Sequence, residues 1–215
     1  MLIFIFSNTH CNEDLFNTME NIIKIGISRC LLGQGVRFDG GHKKNDYIMQ
    51  LLANYFALNG ICPEVESGLP IPRPTIRLVG NAAAPSVVEV LKPEIEHTDR
   101  LVSFSEKKVE ELDGLSGFIL KKGSPTCGME RVKVYQKAPK PPLFGQGVFA
   151  QALMTRFPLM PVEEEGRLND YGLRENFIER IFIYYRWQAL VNKGISSKSL
   201  LAFHSYHKLT LLAHD

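Results

Sequence analysis

The sequence lacks an apolar run long enough to cross a membrane. Met1 to Phe6 is apolar but covers six residues, against roughly 20 for a spanning helix. No basic segment precedes that run and no small-residue cleavage site follows it, which argues against a secretory signal. A cytoplasmic, reducing compartment is therefore expected, and structural disulfides are not. A charge excess is also missing: 25 Lys and Arg against 23 Asp and Glu leave +2. That permits an anionic partner but excludes a nucleic-acid-coating tail. Cysteine is sparse, at four residues, and no two form a C-x-x-C pair. This counts against a zinc ribbon, a thioredoxin motif and the compact ferredoxin run. There is no internal repeat.

What is present describes a globular chain. Hydrophobic residues make up 45% and charged residues 22% of 215, enough for one ordinary domain and a smaller piece. Residues 1–18 read as an upstream extension from an early start codon, with the fold beginning at Met19 and Cys11 left outside it. Residues 19–165 form the main domain, and 166–215 a helical segment.

Ile22 to Ser28 is a β-branched run and reads as a buried strand. It enters a loop, Leu31 to Gly41, with four glycines that permit tight turns and close backbone approach. Asn45 is positioned to cap a helix through about Asn59, with Ile48, Leu51, Leu52, Tyr55 and Phe56 on one face and Gly60 ending it. A strand end follows at Ile61-Cys62. Three prolines between Pro70 and Pro74 exclude regular structure. Pro85 to Leu91 is ambiguous. A helix is expected over Thr98 to Leu112, strands at Gly117–Leu120 and Arg131–Gln136, and a helix over Val148–Phe157.

Strands alternating with helices predict an α/β, Rossmann-like domain with a largely parallel sheet flanked by helices. Asn169 to Asn192 and a stretch from Ser196 carry helical patterns, giving a partial all-α C-terminal segment. The second pattern is unfinished at Asp215, so a longer helical domain is expected to have been cut short.

In an α/β fold the loops after the strands' carboxyl ends gather on one edge. Cys30, Cys62 and Cys127 each stand in such a loop, close to glycine or proline. The default for a reduced cysteine is a small buried hydrophobe, which belongs inside a strand or on a helix face. Loop placement instead favours a shared metal site. Closed iron–sulfur clusters use four protein ligands. Three thiolates on a cubane would leave one iron open to a soft donor such as sulfur.

Other residues near these cysteines carry two readings each. Glu64 and Glu66 follow Cys62, and either carboxylate is a candidate general base; in an extended segment they share a face. Ser124 stands three residues before Cys127, where it is a turn former or a site residue. Arg37 and Asp39 are expected to pair or to orient their loop. Arg73 meets an anion or pairs at the surface. Lys121 and Lys122 read first as a solvated edge, second as positive charge beside the site. His204, His207 and His214 share a helix face and, with Lys208, read as a polar, RNA-facing surface rather than as metal ligands.

Three motifs in order then bear a resemblance: Ile27-Ser28-Arg29-Cys30-Leu31-Leu32-Gly33 with Val36-Arg37-Phe38-Asp39-Gly40-Gly41; Cys62-Pro63-Glu64-Val65 with Gly68-Leu69-Pro70 and Pro72-Arg73-Pro74; and Lys122-Gly123-Ser124-Pro125-Thr126-Cys127-Gly128. Together they resemble the thiouracil desulfurase family over about residues 20 to 163. Phe38 stands where tyrosine is common in that family, and Ser67 where glycine is common. The stretch from Leu201 to Lys208 resembles the start of a helical domain often fused behind it. The resemblance implies a 4Fe-4S cluster on Cys30, Cys62 and Cys127, with Glu64 and Ser124 as the catalytic pair. It implies non-redox removal of sulfur from a thiolated uracil base or nucleoside, with tRNA as a further partner. The alternative is a tRNA-binding module with a structural iron–sulfur or zinc site.

Overall fold

The structure, a computed structural model, describes residues 22–137 and 139–213; Cys11, Met19 and His214 lie outside them. Strand β1 (Lys24–Ser28) is buried at four of its five residues. A strand buried on both faces needs neighbours at both edges and cover above and below. β1 has both. It pairs in parallel with β2 (Ala57–Ile61) and with β5 (Phe118–Leu120), and β8 (Val162–Glu164) adds to β5 in parallel. The order is β2-β1-β5-β8.

Alternation along the strands divides the core. Ile25, Ile27 and Ile119 face one side, against Ile48 of α1 (Asp46–Gln50), Leu52, and Phe177 and Ile181 of α5 (Tyr171–Lys193). Phe118 and Leu120 face the other, against Val109 of α3 (Thr98–Glu110) and Phe149 and Leu153 of α4 (Val148–Arg156). Each such side chain contributes roughly 1.5–3 kcal/mol on burial, so this sheet is the stiff centre of the molecule. Gly26 sits where a Cβ would lie 2.2 Å from the Phe118 ring. The expected class, α/β with a largely parallel sheet flanked by helices, is the class observed.

The region after Asn45 differs from expectation. Asn45 does cap, its Oδ1 accepting the Ile48 N–H at 3.2 Å. But α1 ends at Gln50, a 3-10 turn covers Leu52–Asn54, and residues through Ile61 form β2 instead of helix. The register from Lys24↔Ala57 to Ser28↔Ile61 gives this segment a full ladder beside a buried strand. That outweighs the helix preference of Ala57 and Leu58, a weak prior. Gly60 is a strand residue, and a Cβ on it would come within 2.7 Å of the Leu32 side chain.

A second sheet, of which only the Arg131–Gln136 strand is expected, has the order β4-β3-β6-β7. It consists of β3 (Ile76–Asn81), β4 (Ala84–Glu89), β6 (Val132–Tyr135) and β7 (Leu143–Gly145). The ambiguous Pro85 stretch is β4, an edge strand, where a proline costs no ladder bond. Leu78, Val87, Val132 and Val134 pack with Leu101 of α3 and Val148 of α4. The same two helices therefore cover both sheets.

The C-terminal helices form as expected. Asp170 caps α5, its Oδ1 accepting the Leu173 N–H at 2.9 Å. α6 (Ser197–Ala213) meets it through Trp187 and Phe203, ring centroids 5.5 Å apart. His207 departs from the expected polar surface: it is 4% exposed, between Phe203 and Tyr206. Burial, with a smaller push from Arg186, lowers its pKa to about 4. His204 is exposed. Among the described residues no helix is long and apolar enough to cross a membrane.

Candidate active site

Parallel strands end on one edge, and three of them deliver the cysteines there. β1 runs into a 3-10 turn, Arg29–Leu32, that contains Cys30. β2 ends at Ile61, opposite Ser28, so Cys62 leaves the sheet beside Cys30. The loop after β5 returns Cys127. All three line one cavity of about 350 Å³, and the structure thus brings the three candidate ligands together.

Each loop is held by bonds its own sequence supplies. The Cys30 carbonyl accepts N–H bonds from Gly33 at 3.3 Å and Lys43 at 2.9 Å, and Gly33 takes the left-handed conformation at φ 85°. Pro63 opens a single helical turn, α2 (Pro63–Glu66), as proline at a first helical position does. Because this segment is helical and not extended, Glu64 and Glu66 do not share a face. Glu66 turns back to accept the Cys62 N–H at 2.9 Å and the Arg29 guanidinium at 2.5 Å. Arg29 also donates to the Gly60 carbonyl, so one ion pair ties the Cys30 and Cys62 loops together. Ser28 Oγ accepts the Lys121 N–H at 2.9 Å, joining the ends of β1 and β5.

The Cys127 loop is seated on helix α4. The first N–H groups of a helix have no partner within it. Here those of Val148, Phe149 and Ala150 donate to the carbonyls of Pro125 and Thr126, and Gly147 donates to Gly128. This docking requires glycine at 147, where a Cβ would lie 2.5 Å from the Thr126 carbonyl.

Burial is the largest influence on the thiols. It pushes Cys30 up to about 11 and Cys127 up to about 12, and it raises Cys62. Cys62 raises both of the others by charge, whereas Lys121 and Arg37 pull Cys30 down. Three neighbouring thiols, Cys127 buried and Cys30 and Cys62 half-buried, are thus protonated at neutral pH unless a metal takes the place of their protons. Three soft donors with two cations beside them fit an anionic iron–sulfur cluster.

Of the two carboxylates, only Glu64 lines the cavity. Its Oε2 is gripped by Arg73, from Nη2 at 2.6 Å and Nε at 2.9 Å. Arg73 is itself buried and also donates to the carbonyls of Val36 and Pro70. Neither Arg73 nor Glu64 is a surface residue. Glu64 Oε1 accepts a hydrogen bond at 2.9 Å from the hydroxyl of Thr126. Thr126 Oγ1 is in turn 3.0 Å from Ser124 Oγ. Ser124 Oγ also accepts the N–H groups of Thr126 at 3.2 Å and Cys127 at 3.1 Å.

Thr126 is the residue that sequence reasoning passes over. The signal for it is the Ser124-x-Thr126 spacing before Cys127, a pattern in which hydroxyls bond the local backbone. Lys121 is not the solvated residue expected: it lines the cavity with Nζ 2.5 Å from Glu165 Oε1. Lys122 is exposed. Arg37 and Asp39 pair at 3.5 Å, as one of their two readings has it.

These features can be set beside known proteins. Residues 25–165 match the family model described as 2-thiouracil desulfurase. Among solved structures, the 4Fe-4S-dependent thiouracil desulfidase TudS is similar at 30% identity and a TM-score of 0.54. The likeness covers 71% of this chain and 97% of that one. No curated protein matches the chain. The matched segment takes in both sheets and every cavity residue named above, and the chain belongs to the 2-thiouracil desulfurase family.

Proposed function

We propose that this protein is a non-redox desulfidase of thiolated uracil, working through a 4Fe-4S cluster bound by Cys30, Cys62 and Cys127. The observation that carries this reading is the convergence of three free thiols with Glu64 and Ser124 on one cavity. Membership of the family supports it, as does the likeness to TudS, whose name gives both cluster and substrate.

When bound, the cluster supplies a Lewis-acidic iron that lacks a protein ligand and draws electron density from the thiocarbonyl. The residues supply the rest. Arg73 holds Glu64 by one oxygen, which leaves Oε1 directed into the site. Glu64 Oε1 takes a proton from water as the water oxygen adds to the thiocarbonyl carbon. Ser124, whose oxygen already accepts two backbone N–H groups, gives a proton to the ring or to the departing sulfur. The C–S bond breaks with both electrons on sulfur. Thiouracil and water become uracil, hydrosulfide and a proton, with no net electron transfer.

The test is anaerobic turnover by cluster-loaded protein, followed by the loss of thiocarbonyl absorbance. Cys30→Ala and Glu64→Ala should both abolish it. A fully loaded protein that left every thiopyrimidine intact would sink the proposal. The finer reading extends the substrate to thiouridine, as a nucleoside or within tRNA. Arg37, Lys43 and Lys122 at the cavity provide the cations a phosphate-bearing substrate would meet. Rates on thiouracil, thiouridine and thiolated tRNA under one set of conditions would rank the three.

A further inference from the structure

Ser124, Thr126 and Glu64 form a chain whose direction follows from counting donors. A serine hydroxyl has one proton and two acceptor positions. Both acceptor positions of Ser124 Oγ are filled by the N–H groups of Thr126 and Cys127. Its proton is therefore free to go to Thr126 Oγ1, 3.0 Å away. Thr126 also has one proton, and the carboxylate oxygen Glu64 Oε1 at 2.9 Å can only accept it. Cys127 Sγ, at 3.6 Å from Thr126 Oγ1, is the longer and weaker contact. Each hydroxyl is satisfied, and the order is Ser124 to Thr126 to Glu64.

The surroundings hold this chain in place. Thr126 is 1% exposed, and Arg73 fixes the far oxygen of Glu64. The Thr126 backbone is pinned on the other side by α4, through Phe149 and Ala150. The hydroxyl of residue 126 is the protein link between the carboxylate and the serine.

We propose that Thr126 is the positioning residue that couples Glu64 to Ser124, passing the proton gained by one to the other. This rests on the reading of Glu64 and Ser124 as the acid–base pair. Water gives its oxygen and one proton to the substrate carbon, and its other proton to Glu64 Oε1. Once protonated, Glu64 Oε1 becomes a donor and the resting order reverses, the Thr126 hydroxyl displacing the longer Thr126 N–H contact on Ser124 Oγ. Glu64 hands that proton to Thr126 Oγ1, Thr126 hands its own to Ser124 Oγ, and Ser124 hands its own to the departing sulfur. The added hydroxyl loses its proton to solvent as the carbonyl forms. Both hydroxyls end as they began, and the carboxylate is regenerated. Only a group that both donates and accepts can stand at 126; valine has nearly the same shape and does neither.

The experiment compares Thr126→Val, Thr126→Ser, Ser124→Ala and the Thr126→Val/Ser124→Ala pair, all anaerobically loaded. Cluster absorbance and the Kd for thiouracil are measured beside kcat. Thr126→Val should keep the cluster and bind thiouracil within about threefold of the parent, while kcat falls by the roughly 10²-fold typical of a lost proton relay. Thr126→Ser should restore kcat. The paired variant should be no slower than Ser124→Ala alone, because a broken chain cannot be broken twice. A Thr126→Val protein with full cluster and unimpaired kcat overturns the coupling, as does a paired variant whose losses multiply. If Glu64→Gln and Ser124→Ala also turn over normally, the underlying reading falls instead. Should Thr126→Val fail to load, single-turnover rates of the wild-type protein in H2O/D2O mixtures decide. A bowed dependence, from several protons in flight, supports the chain; a straight line overturns it.

Discussion

The two sheets have four strands each and differ in direction. In the first every pairing is parallel, so β1, β2 and β5 all end on one edge and hand Cys30, Cys62 and Cys127 to the same space. In the second, β3 pairs antiparallel with β4 and β6 with β7, so its loops go to both edges. Its share of the cavity is limited to Thr75 and Ile76, at the start of β3. Direction, more than size, decides which sheet can gather a site. The first sheet's carboxyl edge should therefore be sensitive in its chemistry, and the second sheet in its stability.

The sharpest way to break this contrast is at the metal ligands. Cys30→Ala, Cys62→Ala and Cys127→Ala should each abolish turnover and the visible absorbance of the cluster. Any one of them that kept full absorbance would remove that cysteine from the ligand set. Next in size is the comparison of Glu64 with Glu66. Glu64→Gln should lower kcat by roughly 10²- to 10⁴-fold, the usual worth of a general base. Glu66→Ala should leave kcat per bound cluster within about threefold. It unpairs Arg29 and the Cys62 N–H, at a cost of about 1–3 kcal/mol in stability. Equal kinetic losses at both positions would show that the helical turn, rather than the Glu64 carboxylate, is what matters.

These carboxylates also mark how far sequence reading reaches. β1, α3, α4 and the alternation of strand and helix are legible because long periodic or β-branched runs carry them. β2 is not, because its residues look helical and only the ladder with β1 makes them a strand. β8 is not, because Glu163 and Glu164 are buried yet charged. Glu163 pairs with Arg167, beyond the end of the strand, and Glu164 accepts the N–H of Met129, which is remote in sequence. At the site, loop placement alone joins the three cysteines. Choosing Glu64 over Glu66 on physical grounds needs the helical turn that Pro63 starts, and the Ser124-x-Thr126 spacing marks Thr126 as a local hydroxyl without showing its contact with Glu64.

In the second sheet the expected losses are of another kind. Leu78 is fully buried between Val87, Val134 and the helices α3 and α4. Leu78→Ala should cost about 2–5 kcal/mol by leaving a cavity, read as a lower denaturant midpoint. The kcat of the protein that remains folded and loaded should be unchanged. A selective fall in kcat, with stability intact, would mean that the second sheet does more for the site than pack behind it.

The smallest effect lies outside both sheets, where α5 meets α6. His207 has its pKa lowered to about 4 from 6.5, by burial and then by Arg186. The unfolded chain therefore binds a proton at this residue before the folded protein does. Stability from this site is fully present above about pH 6.5 and falls as the pH drops towards 4. Melting temperatures at pH 7.5, 6.0 and 5.0 should decline more steeply for the parent than for His207→Leu. Both proteins share their other titrating groups, so the difference isolates His207. Because the site edge is far along the chain and built on other strands, cluster absorbance should be the same in the two proteins across this range. If the two melting curves run parallel, His207 is not held neutral by its packing. A loss of cluster absorbance that tracked its protonation would tie the helical pair to the first sheet's edge.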